Sequence, residues 1–162
     1  MGFNTRSYHP PSDPVNVLLS LGYTLLYNNV HAAVNVVGLD PYMGYFHRPR
    51  HGHAALVSDL MEEYRSVIVD PIVLTALNKR IVSEADFQTE SSGRLALQPD
   101  GLKGFLALYS GRILEIVHYA PKAMNTSYRQ LIEFQVRHFA RVILGDDSEY
   151  RPYNADILMK EV

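Results

Sequence analysis

The chain has 162 residues, 47% of them apolar, with a formal net charge of −2 and no cysteine. That size and apolar content suit one globular domain, residues 1–162, with a core of its own, and argue against disorder. The lack of cysteine excludes disulfides and thiolate metal sites and agrees with a reducing cytoplasm, while the near-neutral charge excludes a uniformly basic nucleic-acid binder, so any DNA contact must come from local patches.

Met1 to Ser12 reads as irregular, since Pro10 and Pro11 forbid a helix there. No charged-then-apolar leader opens the chain and no apolar run approaches a membrane span, so no membrane partner is expected. Asp13-Pro14 starts a helix with a capping oxygen and a proline at the first helical position. Leu18, Leu21, Leu25, Leu26, Ala33, Val34 and Val37 give it a long apolar face, on which Asn16 and Tyr23 need hydrogen-bond partners. Gly38 ends it and Asp40-Pro41 turns the chain.

The stretch from Leu39 to Asp70 carries the chemistry. It places His47 just before a loop holding Arg48, Arg50, His51 and His53. The helix beginning near His53 to Ala55 has one apolar arc, Leu56, Val57, Leu60, Met61, Tyr64, Val67 and Ile68, at about 100° per residue. Asp59, Glu62 and Glu63 are expected on the other side, with Asp59 and Glu62 one turn apart. One imidazole beside two carboxylates suits Mg²⁺ or Mn²⁺ better than a structural zinc site. The same charges also read as an ordinary solvated helix face, and periodicity does not choose between Glu62 and Glu63. Arg65 shares that face and is expected to pair with a carboxylate.

Asp70-Pro71 repeats the cap-plus-proline pattern and is expected to start another helix, with Ile72, Val73, Leu74, Leu77 and Ile81 apolar. Ser83 to Asp86 reads as a capped turn, and Thr89 to Leu97 as a small hairpin, the only β structure expected. A helix launched at Gln98-Pro99 carries Leu102, Phe105, Leu106, Tyr109, Ile113 and Val117 at helical spacing. Ala120 to Thr126 reads as a loop. A last helix, from about Thr126 to Leu144, is expected to bury Leu131, Phe134 or Gln135, Phe139, Val142 and Ile143 before Gly145 stops it. The expected fold is all-α, a multi-helix bundle with one small β-hairpin near residues 89–97. There is no glycine-rich phosphate loop.

The words GLDPYMGYFH (Gly38 to His47), DLMEEYR (Asp59 to Arg65) and VDP (Val69 to Pro71) closely resemble the CRISPR spacer-acquisition integrase, the DNA-cutting and DNA-joining subunit of the adaptation complex. PPSDPVNVLLSLGYTLLY (Pro10 to Tyr27) and ADF (Ala85 to Phe87) extend the resemblance. It implies a helical catalytic domain in which His47, Asp59 and Glu62 bind a divalent metal, Mg²⁺ or Mn²⁺, and carry catalysis. It further implies DNA partners, a prespacer and the CRISPR repeat, joined by transesterification, and a small ferredoxin-like partner subunit. Arg48, Arg50 and His53, with His51, would then hold DNA phosphates; otherwise they form a plain solvent-exposed loop. The family also has an N-terminal β-rich dimerisation domain and a further metal-binding glutamate upstream, with no counterpart in these residues. The chain alone is therefore expected to fold, to be nearly inactive, and not to form the family's homodimer. The alternative is a non-catalytic helical binding module that keeps the integrase scaffold.

Overall fold

In the computed structural model, residues 13–47, 50–119 and 122–153 are described. The first helix, α1 (Pro14–Val37), begins where Asp13 accepts the Asn16 N–H at 3.0 Å and ends at Gly38 in the left-handed conformation. It is the axis of the fold, packed on α2 (Ala55–Tyr64), on α3 (Asp70–Asn78) and on α5 (Tyr128–Leu144). Leu18, Leu26, Val30 and Val34 are fully buried along it. Its two doubtful polar residues have partners: Asn16 bonds Asp13 through its side chain at 2.6 Å, and the Tyr23 hydroxyl donates to Asp70 at 2.7 Å. A glycine sits mid-helix because a Cβ on Gly22 would lie 2.5 Å from Val69 Cγ1, where α1 crosses its neighbour.

Helix α3 starts at Asp70 as expected, but without the expected cap and without a break from α2. Residues 55–78 form one continuous helical run in which Arg65–Val69 is a π-helical turn joining α2 to α3. Asp70 has helical dihedrals and accepts from Tyr23 instead of capping. The reason lies in Pro71, which has no N–H for the carbonyl of Val67 four residues earlier. The Arg112 guanidinium fills that place, donating to the Val67 oxygen through Nε at 2.9 Å and through a terminal nitrogen at 2.5 Å. Helical periodicity survives the turn on the core side: Leu56, Val57, Leu60, Met61, Tyr64 and Ile68 are all buried. Leu74, expected in the apolar face of the next helix, is 60% exposed, and Ala76 is buried in its stead.

Beyond α3, Ser83 and Asp86 form a reciprocal capping box around a 3₁₀ turn, Glu84–Asp86. The predicted hairpin follows as β1 (Phe87–Thr89) and β2 (Leu95–Leu97), antiparallel with Gln88 opposite Ala96. It is not the only β structure. Helix α4 (Pro99–Ile113) stops short of Val117, and β3 (Ile116–Tyr119) pairs antiparallel with β4 (Met124–Ser127), with Val117 opposite Thr126. Ile113 to Val117 is an i,i+4 step that fits a helix, but Ile116 and His118 face out while Val117 and Tyr119 face in, the period of a strand. Helix α5 then starts at Tyr128 behind a Ser127–Gln130 capping box. It buries Gln135 and only partly covers Phe134, while Ile143 is 49% exposed, against expectation. The architecture is a mostly α bundle with two small hairpins. Among the described residues no helix is long and apolar enough to cross a membrane.

Replacing Arg112 with Met should leave the Val67 carbonyl unpaired and lower unfolding free energy by about 1.5–3 kcal/mol. Urea denaturation measures it. Adding Pro71→Ala, which restores an N–H at that position, should recover part of the loss; no recovery would show that the carbonyl was not the cause.

Candidate functional site

The site forms where the turn after α1 folds back on the first turns of α2. Pro41 accepts the Leu56 N–H at 3.0 Å, pinning the turn to the helix. The approach is close enough to demand a glycine: a Cβ on Gly44 would lie 2.5 Å from the Ala55 Cβ and 3.0 Å from Asp59 Oδ2. The chain beyond Gly44 wraps around the Asp59 carboxylate. Oδ2 accepts the N–H of Tyr45 at 2.6 Å and of Phe46 at 3.0 Å. Oδ1 accepts the His47 N–H at 3.0 Å and meets the His47 imidazole at Nδ1. A carboxylate has about four lone-pair sites, and all four are engaged.

Burial pushes the Asp59 carboxyl up, but the Phe46 N–H, the His47 side chain and the N–H groups of Tyr45 and His47 outweigh it and hold it below its ordinary value. Asp59 is therefore ionised, His47 donates from Nδ1, and in the neutral imidazole Nε2 is left with its lone pair available. The Asp59 side chain is 6% exposed and that of His47 42%, so the carboxylate is an interior anchor and the imidazole opens to solvent. This is the carboxylate–histidine pairing that fixes tautomer and ring direction in metal sites.

The other candidates separate. Glu62, on the exposed face, pairs with Arg65 at 3.0 Å, as expected of Arg65, whose guanidinium also lies 4.8 Å from the Tyr23 ring. Glu63 turns the other way, to the C-terminal segment: it accepts from the Tyr150 hydroxyl and, at 2.7 Å, from the Tyr153 N–H. Burial raises its carboxyl despite these bonds and one from Gln135. The three carboxylates thus do not share one outer face. Among the described residues, no three His, Asp or Glu side chains come together as a metal cage. The donors present on the surface, one imidazole nitrogen and the exposed Glu62 carboxylate, are of the type that suits Mg²⁺ or Mn²⁺, with further positions left to water and substrate oxygens. His53 packs beside His47, ring centroids 6.1 Å apart, and its Nε2 bonds Ser58 at 3.1 Å, while Arg50 and His51 are exposed. Arg48 lies outside the described residues.

Sequence reasoning missed the C-terminal brace. Gln135, bonded to Glu63 and the Arg151 carbonyl, also accepts from Tyr119 at 3.0 Å. Tyr150 stacks on His138 and meets Phe139 edge-on at 5.3 Å, and Phe139 meets Tyr45 edge-on at 5.3 Å. A circuit therefore runs from Glu63 through Tyr150 and Phe139 to Tyr45, whose N–H returns to Asp59. No local pattern marks it, because its members lie far apart in the chain.

Residues 1–111 match the family described as CRISPR associated protein Cas1. The chain belongs to the Cas1 family. It is 41% identical over 151 residues to CRISPR-associated endonuclease Cas1 3 of Thermus thermophilus, covering 93% of this chain and 45% of that relative. A casposase bound to integration product shares the fold with TM-score 0.84 at 26% identity, over 92% of this chain and 44% of that one. A chain of a Cas6-RT-Cas1–Cas2 complex does so with TM-score 0.81 at 26% identity, over 95% of this chain and 17% of that one. The chain thus spans less than half the length of these relatives.

Replacing Asp59 with Asn should free the loop amides. Hydrogen exchange at Tyr45, Phe46 and His47 should accelerate roughly tenfold or more, with α1 unchanged. The sign of the pH effect follows from a folded-state value below the ordinary 3.8: the stability Asp59 contributes is present above that value and lost as pH falls through the lower one. Acid titration of unfolding free energy should accordingly be flatter below about pH 4 in the Asn variant.

Proposed function

We propose that this chain carries the DNA-breaking and DNA-joining chemistry of CRISPR spacer acquisition, a metal-dependent transesterification in which a prespacer 3′-hydroxyl attacks a phosphodiester of the repeat. With water in place of the hydroxyl the same site acts as an endonuclease. The observation that carries this reading is the His47–Asp59 pair, oriented by three backbone amides on the word shared with a family whose relatives are named endonucleases. The casposase relative, described as bound to integration product, supports DNA as substrate.

His47 Nε2 and Glu62 would hold the ion, Mg²⁺ or Mn²⁺, while Asp59 aims the imidazole from behind. When bound, the ion supplies charge neutralisation at the phosphate and activation of the attacking oxygen. The chain's own part is positional. Asp59 fixes the tautomer of His47, the loop amides fix the plane of Asp59, and Glu62, now 3.0 Å from Arg65, would have to leave that ion pair to reach the ion. Arg50 and His53, together with Arg48, would take DNA phosphates. A Cas2-type small subunit is the proposed partner, on the likeness to the Cas1–Cas2 assembly.

Cleavage of branched DNA with Mn²⁺ tests the proposal, measured for the chain alone and with the remaining portion of a full-length relative added. Turnover is expected to be slow or absent alone, restored by the addition, and reduced roughly 100-fold or more by His47→Ala. Mn²⁺ affinity, read by EPR, should fall about 10- to 100-fold in Glu62→Gln. DNA binding without turnover under either condition would favour the non-catalytic module. Arg50→Ala should reduce the slope of log affinity against log salt by about one unit.

A further inference from the structure

Phe46 is 90% exposed, although it immediately precedes His47 and its own N–H is fixed on Asp59 at 3.0 Å. An exposed phenylalanine on a mobile loop would need no comment, but this ring stands on a backbone tied at three consecutive amides. Its neighbour Tyr45, 66% exposed, is braced edge-on against Phe139. Tyr42 and Met43, 52% and 66% exposed, continue the apolar surface back along the turn. On the other side of His47, the Arg50–His53 bridge and the exposed His51 supply cationic and imidazole groups. A fixed aromatic face beside basic groups is the combination by which proteins hold single-stranded nucleic acid, rings against bases and cations against phosphates.

We propose that Phe46 is a nucleobase-stacking residue that holds an unpaired base of the DNA next to His47. This rests on the DNA reading of the site above and deepens it. A base stacked on Phe46 would bring its own sugar and phosphate toward the neighbouring His47, so the ring would set how far the strand enters the site, whatever its sequence. Stacking is sequence-tolerant, because every base has a π face, so Phe46 would favour an unpaired end without selecting its sequence. A protein partner fits less well, since the apolar residues border the part-exposed imidazole of His47 and the exposed Arg50 and His51.

The chain has no tryptophan, so Phe46→Trp introduces a single indole at the proposed stacking position. Its fluorescence is read with three probes: a duplex with a short single-stranded 3′ end, the same duplex with abasic sugars in that end, and a blunt duplex. Anisotropy of labelled DNA reports binding in parallel. Strong quenching by the first probe only, with on the order of tenfold weaker overhang binding in Phe46→Ala, is the expected result. Binding by anisotropy without base-dependent quenching would overturn the stacking role while leaving the DNA reading intact. No binding of any probe would overturn both. Fluorescence that changes with protein concentration in the absence of DNA would assign the patch to a second copy of the chain and overturn the proposal.

Discussion

The Asp59 carboxylate is the constraint on which the site depends. It lies on the first turns of α2, almost out of solvent, and it collects the N–H groups of three successive residues together with the His47 ring. Charge-assisted bonds of this kind are worth about 1.5–3 kcal/mol each, enough to fold a loop that has no regular structure. The result is an imidazole whose Nδ1 is committed to the interior carboxylate while the side chain as a whole is 42% exposed. Gly44 is the steric counterpart, since any side chain there would push the loop off α2 and separate the two residues.

Two supports keep α2 where Asp59 needs it. At its C-terminal end, Pro71 interrupts the hydrogen-bond ladder, the chain widens into a π turn, and Arg112 reaches over from α4 to satisfy the exposed carbonyl of Val67. On its flank, Glu63 is clasped by Tyr150, Tyr153 and Gln135, which lash the C-terminal segment across α2 and α5. Burial raises the Glu63 carboxyl, so its ionised form is held against a desolvation cost; three converging donors limit that cost. The aromatic contacts from Tyr150 through Phe139 to Tyr45 then join this clasp to the His47 loop.

Much of this was legible in the sequence where the signal is local. The Asp13-Pro14 start, the Gly38 stop, the Ser83–Asp86 turn and the first hairpin depend on neighbours within a few residues, and periodicity found the buried arc of α2. Asp70-Pro71 marked where α3 begins but not how: Asp70 is helical instead of capping, and the run continues from α2 because Arg112, distant in sequence, supplies the missing donor. The second hairpin was hidden because Ile113 and Val117 satisfy both periods. At the site, the pattern brought His47, Asp59 and Glu62 to attention but placed all three carboxylates on one helix face and did not choose between Glu62 and Glu63. Their separation into an anchor, an exposed surface carboxylate and a structural clasp depends on what packs against each side of α2. No spacing rule contains that information.

On the proposed reading, Asp59 aims His47 so that its Nε2 would meet an ion at the surface. Electron spin-echo envelope modulation of Mn²⁺ bound to the chain carrying ¹⁵N-labelled histidine measures this directly. The expected result is a single histidine nitrogen coupled to the metal, abolished in His47→Ala and weakened or heterogeneous in Asp59→Asn. A coupling that survives in His47→Ala, or bound Mn²⁺ with no histidine nitrogen in its coordination sphere, would contradict it.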